Sequence, residues 1–85
     1  MAHFARLGAA NVVTEVLVVD NAILGTPEDE RLGIKWLEDF DTLRGLSHAR
    51  WVQTSYNGNF RGRYAGIGMT YDTVLDEFIA PDPAP

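Results

Sequence analysis

One segment of this chain carries its apolar residues at helical spacing, while the segments on either side of it carry theirs at strand spacing. In "GTPEDERLGIKWLEDF" and the residues that follow, Leu32, Trp36, Leu37, Phe40 and Leu43 recur at short helical intervals on one side, and Arg31, Lys35, Glu38 and Asp39 occupy the others. Thr26 is a suitable N-cap and Pro27 a suitable first helical residue. Glu28, Asp29 and Glu30 complement the positive end of the helix dipole. Gly45 is the natural terminator, so the spacing predicts a helix within residues 27–44. Gly33 lies beside the apolar stripe, where a missing side chain lets a helix lie close on a sheet.

The flanking segments read as strands. "HFARL" and "VVTEVLVVDN" surround "GAAN", in which Gly8 and Asn11 tolerate a left-handed turn conformation, so the two runs form a hairpin. In the second run Val13, Glu15, Leu17 and Val19 share one face and Val12, Thr14, Val16 and Val18 the other. Both faces are apolar toward its end, which places this run centrally in a sheet. "RWVQTSYN" is a third strand. "YAGIGMTYD" is a fourth, with Gly66, Gly68 and Thr70 on one face, where the glycines leave room for a packed neighbour. "DTVLD" turns the chain and "EFIAP" returns as a short fifth strand. The prediction is an α+β domain over residues 1–80: a small antiparallel sheet of four to five strands in the order β-β-α-β-β-β, with one helix packed on one face. Residues 81–85, "PDPAP", form an extended proline-rich tail. Leu17, Val19, Leu32, Trp36 and Leu37 are expected in the core, together with Phe40, Trp51, Ile67 and Phe78.

An 85-residue chain buries only about 60–65% of the surface it exposes when unfolded, so its core is thin. With 46% apolar residues the composition is globular, but there is no cysteine to add a disulfide or thiolate metal site. A partner subunit is the remaining supplement, and an oligomer or assembly component is expected. The longest apolar run, residues 16–19, falls far short of a membrane helix, and "MAHFARLGAA" lacks the apolar segment of a signal peptide. The expectation is a chain made and kept in a cytoplasm, with no membrane partner.

A net charge of −5 disfavours general affinity for nucleic acid. The charge is uneven: residues 26–41 hold six acids, whereas residues 50–64 hold Arg50, Arg61 and Arg63 and no acid. "NFRGRYAGIGMTY" interleaves Arg61 and Arg63 with Phe60, Tyr64 and Tyr71, the pairing of stacking rings and cations that holds single strands. A connection between strands with arginines on its rim accounts for the same residues and is preferred. "AGIG" lacks the third glycine and following helix of a phosphate loop. His3 and His48 lack converging carboxylates, and Asp72, Asp76, Glu77 and Asp82 do not have calcium-loop spacing. Ser47 and Ser55 are the only serines and neither has a local base, so no catalytic residue, cofactor or metal is assigned and an enzyme is the least favoured class.

Three segments together, "MAHFARL", "WVQTSYNGNFRGRYAGIG" and "TYDTVLDEFIAP", resemble a family of small virion-type proteins encoded by tailed bacteriophages of aquatic bacteria and cyanobacteria. The likeness covers most of the chain, and its specificity comes from the middle block. The first turn departs from the family, being "LGAAN" where relatives are acidic and asparagine-rich, and many relatives continue past the proline segment. The resemblance implies a virion structural or accessory protein, made in the host cytoplasm and contacting other virion proteins. A tail- or fibre-associated adaptor stands ahead of a capsid decoration protein. From another class, a small single-stranded nucleic-acid-binding module is the alternative. Under the virion reading Tyr56, Phe60, Arg61, Arg63 and Tyr64 form the partner-binding surface, in keeping with the weight of Tyr and Arg at interface hot spots.

Overall fold

The fold was read from a computed structural model that describes residues 2–46, 49–55, 58, 60–61 and 64–80. Strand β1 (Ala2–Leu7) pairs antiparallel with β2 (Val13–Val19) on one side and with β3 (Arg50–Thr54) on the other, giving a three-stranded sheet ordered β2-β1-β3. Two more strands, β4 (Thr70–Asp72) and β5 (Glu77–Ile79), form a separate hairpin that meets the sheet strands through an isolated bridge from Thr70 to Val12. A short helix α1 (Asn21–Leu24) precedes the main helix α2 (Glu30–Leu43).

The register explains a three-layer arrangement. Phe4 lies opposite Leu17 and Gln53, and Ala2 opposite Val19, so these side chains share one face of the sheet. On that face Ala2, Phe4, Val19 and Trp51 pack with Leu24 of α1 and Leu37 of α2. The other face presents Ala5, Leu7, Val13 and Val52 to Ala65 and to Tyr71 and Phe78 of the hairpin. Both faces of β1 are thus covered. Full burial of an apolar side chain such as Phe4, Leu37 or Phe78 contributes about 1.5–3 kcal/mol, so two small clusters carry most of the stability.

The α+β class with one main helix on a sheet face agrees with the sequence reading, but the sheet is three strands plus two, not one sheet of four or five. The strand expected over residues 64–72 begins only at Thr70. Residues 66–69 instead form a turn in which Met69 N–H donates to Gly66, Gly68 has φ +93°, and Val13 exchanges backbone hydrogen bonds with Gly68 and Met69. Those glycines therefore serve a turn, not a strand face. β2 is an edge strand, and β1 takes the centre. The apolar residues on both sides of β2 had pointed inward, yet Val18 remains 48% exposed. Residues 20–21, read as the end of β2, start α1: the Asp20 carboxylate accepts from Ala22 N–H. In the first turn the left-handed residues are Ala10 and Asn11, whereas Gly8 has φ −94°. The expected tail at 81–85 lies outside the described residues.

Helix α2 begins three residues later than Thr26 and Pro27 suggested, because Asp29 supplies the cap by accepting from Arg31 N–H at 2.9 Å. Its end is as expected. Gly45 adopts φ +72° and donates to Thr42 O, while Leu46 N–H donates to Asp41 O, the paired bonds that close a helix through a left-handed glycine. Its inward line is Gly33, Leu37 and Asp41. Leu32 and Trp36, expected in the core, are 46% and 40% exposed, and Ile67, in the turn, is 74% exposed. Leu17 and Phe40 are partly buried, and Val19, Leu37, Trp51 and Phe78 are buried as expected. The helix is rolled because Gly33 lets the Phe4 ring enter and because Asp41 must reach partners beneath it.

Candidate functional site

Two charged networks and two exposed apolar surfaces are the features that could carry function. The first network centres on Asp41, whose carboxylate is buried among three donors. Arg6 Nε of β1 reaches Oδ2 at 3.2 Å, Trp51 Nε1 of β3 reaches the same oxygen at 2.9 Å, and Arg44 donates to Oδ1. Arg44 also grips both carboxylate oxygens of Glu15 on β2 at 2.9 and 3.0 Å and lies over the Phe40 ring at 4.4 Å. Its Nε is buried without an acceptor among the described residues. Burial pushes the Asp41 carboxyl up, but the hydrogen bonds from Arg44, Trp51 and Arg6 outweigh it and hold the group below the ordinary carboxylate range. With Arg6 Nε, Trp51 Nε1 and both terminal nitrogens of Arg44 engaged inside the fold, this network locks α2 to all three strands.

The second network centres on Arg61. Its guanidinium donates to both oxygens of Glu30, at 2.9 and 3.3 Å, to the Gln53 carbonyl at 2.7 Å, and to Asp76 at 2.9 Å. Gln53 N–H donates to Glu30 at 2.9 Å, Phe78 N–H donates to the Arg61 carbonyl at 3.1 Å, and the Tyr71 hydroxyl donates to Asp76. Hydrogen bonds from Tyr71 and Arg61 lower the Asp76 carboxyl, while burial and then Asp76 raise the Tyr71 hydroxyl. Arg61 thus joins the start of α2, the end of β3 and the hairpin.

This changes the meaning of the arginine-aromatic segment. Phe60 is 42% exposed, with Arg61 above its ring at 5.9 Å, and remains available to a partner. Arg61 faces inward, its side chain 19% exposed. Tyr64 is half-buried, its ring edge-to-face with His3 at 5.5 Å. Tyr56 and Arg63, and His48 among the earlier metal candidates, lie outside the described residues. Of the five expected contact residues, the described ones are brought to the same end of β3, but only Phe60 presents a large free apolar surface.

The surfaces missed by sequence reasoning are apolar. The hairpin layer exposes Val74 (89%) and Leu75 (59%), which "DTVLD" had marked only as a turn. Helix α2 exposes Leu32, Trp36 and Leu43, which helical periodicity alone assigns to a core. Among the described residues no group of three His, Cys, Asp or Glu side chains could hold a metal, and no helix is long and apolar enough to cross a membrane. No protein-family model, curated protein or solved structure matches the chain.

Proposed function

We propose that this chain is an accessory component of a bacteriophage particle, a tail- or fibre-associated adaptor acting through contacts with other virion proteins. The resemblance of its three sequence blocks supplies the setting. The carrying observation is the apolar tip of the hairpin layer, where the neighbouring Val74 and Leu75 stand in water on a chain with a thin core. Exposed apolar side chains gathered on one layer are the usual mark of a protein contact. Phe60 adjoins this layer through the Arg61–Phe78 backbone bond, so the partner surface consists of Phe60 with Val74 and Leu75. Capsid decoration is the alternative placement within the same class.

The single-stranded nucleic-acid reading has less support. It needs Arg61 free for phosphate, and that guanidinium donates instead to Glu30, Gln53 and Asp76. The test is mass spectrometry of purified complete particles, with the expected result a fixed stoichiometry of this chain per particle. Its absence from particles while infected-cell lysate contains it overturns the virion role.

A further inference from the structure

We infer that α2 pairs with α2 of a second copy of this chain, antiparallel, through Leu32, Trp36, Phe40 and Leu43. These residues follow one another at helical steps beside the inward line of Gly33, Leu37 and Asp41, so they form one continuous stripe. Leu43 is 85% exposed, and Trp36 stacks on Phe40 with ring centroids 5.6 Å apart and planes 17° from parallel. Leu32, Trp36 and Leu43 therefore present an apolar ridge to solvent, with the half-buried Phe40 ring supporting Trp36.

Its order identifies the occupant. Reading α2 backwards about the point between Leu37 and Glu38 exchanges Leu32 with Leu43 and, within one residue, Trp36 with Phe40 and Lys35 with Asp39. A two-fold interface must be self-complementary in this sense, each patch meeting its own reverse. Lys35 and Asp39 are exposed and 3.5 Å apart along the edge of the stripe. An antiparallel copy brings Lys35 of each chain to Asp39 of the other, giving an alternating four-charge cluster. A parallel copy turns the two Lys35–Asp39 edges to opposite sides of the interface, so no such cluster forms. The apolar sequence fits either direction less selectively than the charges do, so the charges set the orientation.

Fourteen residues make a helix of about 21 Å, and one stripe of that length lies at the small end of specific interfaces. The association is accordingly in the micromolar range, strengthened where copies are held together in an assembly. This inference deepens the assembly reading but can fail separately. A chain that enters particles as a monomer overturns the pairing alone, and one that pairs but never enters particles overturns the particle role alone.

The test is sedimentation velocity on the whole chain between about 5 and 500 µM. The wild type shifts to twice the chain mass across this range. Leu43→Glu, at a position that contributes nothing to the core, stays monomeric with unchanged circular dichroism and melting. Lys35→Asp and Asp39→Lys each lose self-association, and mixing the two restores a dimer. Because the chain has no cysteine, orientation can be trapped directly: Leu32→Cys mixed with Leu43→Cys forms a disulfide-linked dimer under mild oxidation, while neither does so alone, since like positions would lie roughly 16 Å apart. A wild type that remains monomeric throughout, a dimer that survives Leu43→Glu, or cross-linking of either cysteine variant with itself in preference to the mixture overturns the inference.

Discussion

The indole Nε1 of Trp51 donates to Oδ2 of Asp41 at 2.9 Å, and through that bond the third strand holds the inward face of α2. Both side chains are about 1% exposed, so neither polar group has water to fall back on. Arg6 and Arg44 complete the shell around the carboxylate but retain partial contact with solvent. Removing the carboxylate therefore strands the buried indole N–H more than it strands the arginines. Asp41→Ala should cost about 2–4 kcal/mol and Trp51→Phe, which deletes only the donor and some packing, about 1–3 kcal/mol. Urea unfolding checks both. Equal, negligible losses would show that the bond contributes nothing net.

The same carboxylate should govern acid stability. Asp41 has a folded pKa below its unfolded one, despite its burial, because Arg44, Trp51 and Arg6 donate to it. A depressed carboxylate contributes stability that is fully present above its unfolded value of about 3.9 and is lost as pH falls through the folded value. Asp76, lowered by Tyr71 and then Arg61, acts in the same direction from an exposed position. Stability should hold from neutral pH down to about 4 and fall below it. Asp41→Asn should be less stable at neutral pH yet lose less on acidification. A variant with the wild-type slope would remove Asp41 from this role.

Gly33 is a closer test of how the helix sits. A Cβ there would lie 2.4 Å from Phe4 Cζ and 2.9 Å from Leu24 Cδ2, and Phe4 is fully buried with no room to swing away. Alanine gains about 1 kcal/mol of helix propensity but must push the helix off the sheet, for which overpacking costs typically 1–3 kcal/mol. Gly33→Ala should be net destabilising by about 1–2 kcal/mol in thermal or urea melts, and Phe4→Leu should relieve part of that loss.

Much of the fold was legible because local signals agreed with one another. The first hairpin, the helix, its Gly45 terminator and the close approach at Gly33 all rest on short-range chemistry that a sequence displays. The roll of the helix was not legible. Periodicity weighed Leu32 and Trp36 as core, nothing local marks Asp41 as buried, and only the long-range meeting of Asp41 with Arg6 and Trp51 turns its side of the helix inward. Likewise β2 looked central because its own residues are apolar on two sides, whereas strand order depends on β3, which follows some thirty residues later. At the candidate site, composition showed arginines beside aromatics but not the acids that would meet them. Glu30 and Asp76 come from distant segments and convert Arg61 from a surface cation to an internal tie.

That conversion decides how the partner surface should be tested. Arg61 has four hydrogen-bond contacts to Glu30, Gln53 and Asp76, and its backbone carbonyl accepts from Phe78. Arg61→Ala should therefore destabilise the isolated domain by about 2–3 kcal/mol, and Arg61→Lys should recover little, since a point charge cannot serve three acceptors in a plane. Loss of assembly in any variant lacking Arg61 would then report folding and contact together. Phe60→Ala and Val74→Ser separate them, because both side chains stand on the surface. At a packed contact centre each should weaken partner binding by about 1–3 kcal/mol while leaving the melting temperature of the isolated chain unchanged. Titration calorimetry against a particle protein captured under the proposed assembly role, beside a melt of each variant, distinguishes the cases. Lowered melting in Phe60→Ala would make that ring part of the domain's own support, and unchanged binding in both variants would move the partner surface away from the hairpin layer.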